Sequence, residues 1–244
     1  MLVSPSRSRA SVFAYNLRPV RVFGLTLLAL AATVLPGGSR PAAQQTATVR
    51  GRVVIDLPPS SRRPSSAYPS RAVAQAQLAP PSEVENVVVY LRDAPAGSVA
   101  PRRTAIHQRG ETFLPRVVAV PVGSTVDFPN DDPIYHNVFS LSRARTFNLG
   151  RFPRGESRAV RFDKSGIVKV FCDIHSHMAA TVIVFNHPWF TVPDAEGGFE
   201  LDNLPAGTQE VTAWHERLGE TTMRVRIEAG RTSSVEFVLP VPAQ

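Results

Sequence analysis

An all-β chain, one β-sandwich followed by a small second β-sandwich, is the fold class this sequence predicts. Three observations carry that expectation. The 22 prolines in 244 residues argue against a helical bundle, because proline removes an amide donor and clashes inside a helix. Short runs rich in valine, isoleucine, threonine and phenylalanine recur along the chain, each bounded by Gly, Pro, Asn or Asp, which is the pattern of strands and tight turns. No stretch shows a convincing helical period. With 43% hydrophobic and 8% aromatic residues the composition can build a core, and the length admits one or two domains.

The chain opens on a leader. Residues 1–43 hold five arginines and no acid, and four of the five precede an apolar run from Val22 to Leu35 that ends at Pro36-Gly37-Gly38-Ser39. A basic start, an apolar stretch of about 14 residues and small residues beyond it form a cleaved signal peptide. Its cleavage is expected within 37–45, and the chain is expected in the periplasm. A membrane helix needs about 20 apolar residues, so no stable span is expected in the mature chain. The leader also explains much of the charge. The whole chain carries +7; residues 44–244 carry +2, and from Glu83 onward 17 basic residues face 19 acidic ones. A basic balance suggests nucleic acid as a partner, and here that reading falls away.

Strands are expected at Thr46–Asp56 and Val84–Arg92, separated by a Pro-, Ser- and Arg-rich stretch at 57–83 that reads as a flexible insertion. Further strands follow at Arg116–Val122, Ser124–Pro129, Ser157–Phe162, Gly166–Phe171 and Ala180–Phe185. Together these place a first sandwich over 46–186. The register restarts at His187, with strands at Phe190–Val192, Gly198–Leu201, Gln209–His215, Thr221–Ile227 and Ser233–Leu239. A stretch of about 55 residues suffices for a small module that must lean on the first. The segment from Pro193, PDAEGGFELDNLPAGTQEVTAWHE, resembles the carboxypeptidase-regulatory-like or transthyretin-like module over 187–241, which implies a fold and no chemistry.

The chemistry lies in two short segments. Cys172-Asp173-Ile174-His175-Ser176-His177-Met178 is entered and left by strands, and Pro133-Ile134-Tyr135-His136-Asn137-Val138 follows a third. Cys172 is the single cysteine, which excludes an internal disulfide and any multi-cysteine zinc or iron–sulfur site. Copper cycling between two oxidation states favours a thiolate and two imidazoles in a trigonal arrangement with a weak axial thioether. Cys172, His175 and Met178 supply three of these donors from one tight loop, and His136, 36 residues before Cys172, supplies the fourth from another. Ligands drawn from separate strand ends resist rearrangement on a change of oxidation state.

The pattern is similar to that of the cupredoxins, the plastocyanin- and amicyanin-like type 1 copper proteins, over about residues 84–186. The resemblance rests on His136-Asn137-Val138 after a strand ending Phe128-Pro129-Asn130 and on Cys172-x2-His175-x2-Met178. It implies a Greek-key sandwich and one copper ion. His136, Cys172 and His175 would be equatorial ligands and Met178 the axial one. It gives Asn137 the role of tying the two ligand loops together by hydrogen bonds. It also implies single-electron exchange at the exposed His175 edge, among apolar residues such as Ile134 and Ile174. The partner would be a periplasmic redox protein such as a cytochrome or dehydrogenase, with no catalytic turnover. The alternative is copper delivery or a structural role in an envelope complex, which the insertion and the second module favour.

Other chemistries fit worse. A Cys–His nucleophile lacks an orienting third residue, and zinc has no use for the methionine. His177 is expected to be exposed and not a ligand. His187 and His215 are expected to pack beside Trp189 and Trp214, and Asp173 to be solvated.

Overall fold

The computed structural model describes residues 47–56 and 83–240. The leader at 1–43 and nearly all of the insertion at 57–83 lie outside the described residues. No helix among the described residues is long and apolar enough to cross a membrane.

The fold is all β, and four sheets pair into two sandwiches. Strands β3 (Arg103–Ala105), β7 (Ser124–Pro129) and β10 (Ser157–Phe162) form one sheet, ordered β10-β7-β3. The next contains β6 (Val117–Pro121), β8 (His136–Ser142), β9 (Arg145–Phe152), β11 (Gly166–Phe171) and β12 (Ala179–Phe185), ordered β6-β12-β11-β8-β9. Between them lies a core of Val126, Phe128, Phe162, Val168, Val170, Val182 and their neighbours, with Cys172 and Met178 at its rim. The second sandwich pairs β13 (Phe190–Thr191), β2 (Val87–Leu91), β15 (Gly207–His215) and β16 (Gly219–Ile227) against β14 (Gly198–Leu204), β1 (Ala47–Asp56) and β17 (Thr232–Pro240). The short hairpin β4 (His107–Gln108) and β5 (Phe113–Leu114) is a separate two-stranded sheet that sends Phe113 into the first core and bridges to Asn130 through Gln108.

The boundary expected at 186/187 does not describe the pairing. β1 runs parallel to β17 from Thr48 to Asp56 and antiparallel to β14, while β2 pairs with β13 and β15. Both N-terminal strands therefore belong to the second sandwich, and its core of Val49, Val53, Val87, Val89, Leu91, Val211 and Phe237 is built from both ends of the described chain. The physical reason is visible in β2. Val87, Val89 and Leu91 enter that core, whereas Val88 and Tyr90 face Val117, Ala119, Ile183 and Phe185 on the outer surface of the five-stranded sheet. A strand buried on both faces reads as a continuous apolar run, and VVVYL carries no alternation to say which sandwich it joins. The two sandwiches share this third apolar layer, reinforced by Lys169 Nζ on Glu216 at 2.6 Å and Glu216 accepting from Thr181 at 3.0 Å.

The β8–β9 hairpin is not among the expected strands. His136, read as a loop residue, is the first residue of β8, which exchanges ladder bonds with both β9 and β11.

Candidate metal centre

Sheet register brings the two sequence segments together. Phe171 of β11 pairs with Phe139 of β8 in antiparallel sense, so the chain leaving β11 at Cys172 runs alongside β8 towards its start at His136. The loop 172–178 is short because β11 and β12 remain paired up to Phe171 and Ala179. It is pinned from within, with the Met178 amide donating to the His175 carbonyl at 3.0 Å and the Cys172 amide to the Met178 carbonyl at 3.4 Å.

Three donor atoms converge. His136 Nδ1 lies 3.1 Å from His175 Nδ1, and Cys172 Sγ lies 3.8 Å from that same nitrogen. All three lie within 4.8 Å of one another. His136, Cys172 and Met178 are buried, and His175 is half-buried at the rim. Met178 packs in the core that also receives Cys172. The set is one soft sulfur and two imidazoles, with a thioether in the same closed loop. This fits a copper ion better than zinc or a hard cation, since thiolate and thioether select soft metals.

The approach to His136 is held more firmly than the sequence foretold. Asn130, at the end of β7, donates from Nδ2 to the carbonyls of Ile134 and Phe152, while its Oδ1 accepts from the Asp132 amide. Asp132 in turn accepts from His136 Nε2 at 2.8 Å and from the amides of Gly110 and Glu111 at 2.6 and 2.9 Å. Burial alone would raise the Asp132 carboxyl, but the Glu111 and Gly110 amides and the His136 ring hold it below the usual carboxylate range. Asp132 is not among the residues that the sequence singled out. Its signal is an acid four residues before the candidate ligand, on the same short loop.

Asn137 does something other than the resemblance implied. Its Nδ2 donates to Asn148 Oδ1 on β9 at 2.8 Å, which also accepts from the Gly150 amide, and its buried Oδ1 has no partner among the described residues. It braces a β-bulge between Asn137 and Phe139 in the β8–β9 ladder and does not tie His136 to the loop 172–178. A bulge beside a functional residue re-aims the side chains next to it.

The remaining histidines separate cleanly. His177 is exposed, with Nε2 3.5 Å from Glu111. His187 stacks on Trp189 with ring centres 6.0 Å apart, His215 is buried against Glu83, and His107 bonds to Asp131 at 2.9 Å. Ile134, Tyr135 and Ile174 present apolar surface to solvent. Asp173 is exposed and meets Arg151 at 3.4 Å, which is worth little at the surface.

No protein-family model matches the chain, and no curated protein does. Solved structures give partial likenesses. A copper-containing nitrite reductase from Thermus scotoductus SA-01 aligns at 24% identity and a TM-score of 0.33 over 39% of this chain, which spans only 25% of that enzyme. A purple cupredoxin from Nitrosopumilus maritimus aligns at 24% identity and a TM-score of 0.31, over 34% of this chain and 99% of its own. An oxidised single-residue variant of amicyanin aligns at 18% identity and a TM-score of 0.32, over 34% of this chain and 81% of its own. Likenesses this partial say nothing of function, and the chemistry has to come from the residues.

Proposed function

We propose that this protein is an exported, periplasmic type 1 copper protein that holds one copper ion and passes single electrons between redox partners without catalytic turnover. One observation carries the reading: a buried thiol and two imidazole Nδ1 atoms, contributed by two separate strand ends, converge within 4.8 Å. His136, Cys172 and His175 would hold the ion, with Met178 as the weak axial donor. Bound there, copper would supply a one-electron couple. The chain's own part is rigidity. His136 is fixed by its place in β8 and by Asp132, and Cys172 and Met178 by the loop's internal bonds, so the donors have little freedom to rearrange. Exchange with a cytochrome or dehydrogenase would run through the half-buried His175 edge, where Ile134, Tyr135 and Ile174 offer a surface that sheds water readily on docking.

The test is optical and electrochemical. Copper(II) added to the pure protein is expected to give an intense blue, green or purple thiolate charge-transfer band and reversible voltammetry. A colourless complex, or oxidation of Cys172 to a disulfide-linked dimer in place of binding, overturns the reading.

A further inference from the structure

We propose that Asp132 is a positioning residue of the metal centre. Gripped by the amides of Gly110 and Glu111, it keeps the proton of His136 on Nε2, leaves Nδ1 free for the metal, and places a fixed negative charge that lowers the potential of the site. The inference rests on the metal reading above and concerns a residue outside the ligand set.

Four observations support it. Asp132 and His136 are both almost wholly buried, so their contact at 2.8 Å is shielded from water and electrostatically strong. A carboxylate can only accept, so the hydrogen in that bond belongs to His136 Nε2. The Nδ1 lone pair then faces His175 Nδ1 at 3.1 Å. The fourth observation is the turn that grips the acid. Gly110 and Glu111 stand at φ +61° and +53°, and the left-handed region is costly for a residue with a side chain. The Glu111 side chain points instead to His177, so the strain serves its amide, which together with that of Gly110 closes on the Asp132 carboxylate. Metal-bound histidines are commonly oriented through their second nitrogen in this way. A nearby anion favours the more positive oxidation state of the metal, which lowers the potential.

The experiment begins without metal. Long-range proton–nitrogen correlation spectra of the 15N-labelled native protein are expected to show His136 as the Nε2–H tautomer. Asp132→Asn is expected to move part or all of that population to Nδ1–H and to weaken zinc(II) binding by about 10- to 100-fold. In the copper-loaded protein it should raise the potential, by about 59 mV for each tenfold loss of copper(II) affinity not matched by copper(I). A native Nδ1–H tautomer overturns the proposal whether or not the Asn variant folds. So does an Asn variant with unchanged tautomer, zinc affinity and potential. If tautomer and zinc affinity behave as expected while copper gives no thiolate band, the role of Asp132 stands and the type 1 copper reading falls.

Discussion

His136 and His215 are both buried histidines that lean on a carboxylate, at 2.8 Å on Asp132 and 3.2 Å on Glu83. The His215 ring is closed. Its Nδ1 accepts from the amides of Arg217 and Leu218, its Nε2 meets Glu83, and both nitrogens are spent on holding the β15–β16 turn against the second sandwich. The His136 ring is open, with Nε2 anchored and Nδ1 facing a thiol and another imidazole. Burial and a carboxylate partner are common to both, so neither feature marks function. What separates the candidate ligand from His215 is a nitrogen that faces other donor atoms in place of backbone amides.

The largest effect that would sharpen this contrast is on the open side. Cys172→Ser removes the one soft anionic donor, and the expected outcome is complete loss of the charge-transfer band with the fold intact by circular dichroism. A copper complex of unchanged colour would break the assignment of the site.

On the closed side, His215→Ala leaves the Arg217 and Leu218 amides without their acceptor, while Glu83 keeps Arg217 and Asn86. Losing these hydrogen bonds costs on the order of 1–3 kcal/mol, so chemical denaturation should show a loss of about that size while the copper spectrum stays as it was. His136→Ala also takes a buried partner from Asp132 and should cost stability too, but it alone should lose the metal affinity and the copper band. A copper band kept in His136→Ala, or lost in His215→Ala, would erase the distinction.

The pH dependence of stability comes next. Burial lowers the pKa of both His187 and His215 from the ordinary value of 6.5, and the contact with Glu83 only partly offsets this for His215. The unfolded chain therefore takes up protons on these two rings where the folded one does not. Their contribution to stability is complete above about pH 6.5 and is lost as the pH falls through the folded-state values. Thermal unfolding of the metal-free protein should show Tm falling below about pH 6.5, with a shallower slope in His215→Ala. A Tm that rises on acidification over that range would refute the assignment.

The smallest effect is expected at the axial position. Met178→Leu keeps the core filled, since leucine for methionine is close to volume-conserving. The variant should keep the colour, lose a weak donor to copper(II) and shift the potential upward. An unchanged potential would remove Met178 from the ligand set.

Most strands were readable because each is a short β-branched run between turn residues. Ser124–Pro129 buries every second residue in the structure. The β8–β9 hairpin escaped because HNVFSLS and RTFNLGRF mix polar residues into both faces, and the exposed Leu141 at its tip blurs the period. The closeness of Cys172 and His175 was readable because Cys-x2-His-x2-Met is a local pattern whose residues a single loop can close. Asp132 and the true partner of Asn137 were not, since both depend on residues the chain brings in from elsewhere, Gly110 and Glu111 in one case and Asn148 in the other.

The sequence alone determined most of the elements, the chemistry of the candidate donors and the concentration of basic charge in residues 1–43 and 57–82, because each of these is a property of neighbouring residues. Tertiary structure decided which sandwich claims Ala47–Asp56 and Val87–Leu91, where His136 meets Cys172, and which carboxylate holds it. Pairing between strands far apart in the chain is settled by the burial of whole faces, and a run such as VVVYL, apolar on both faces, carries no mark of the neighbour it will choose.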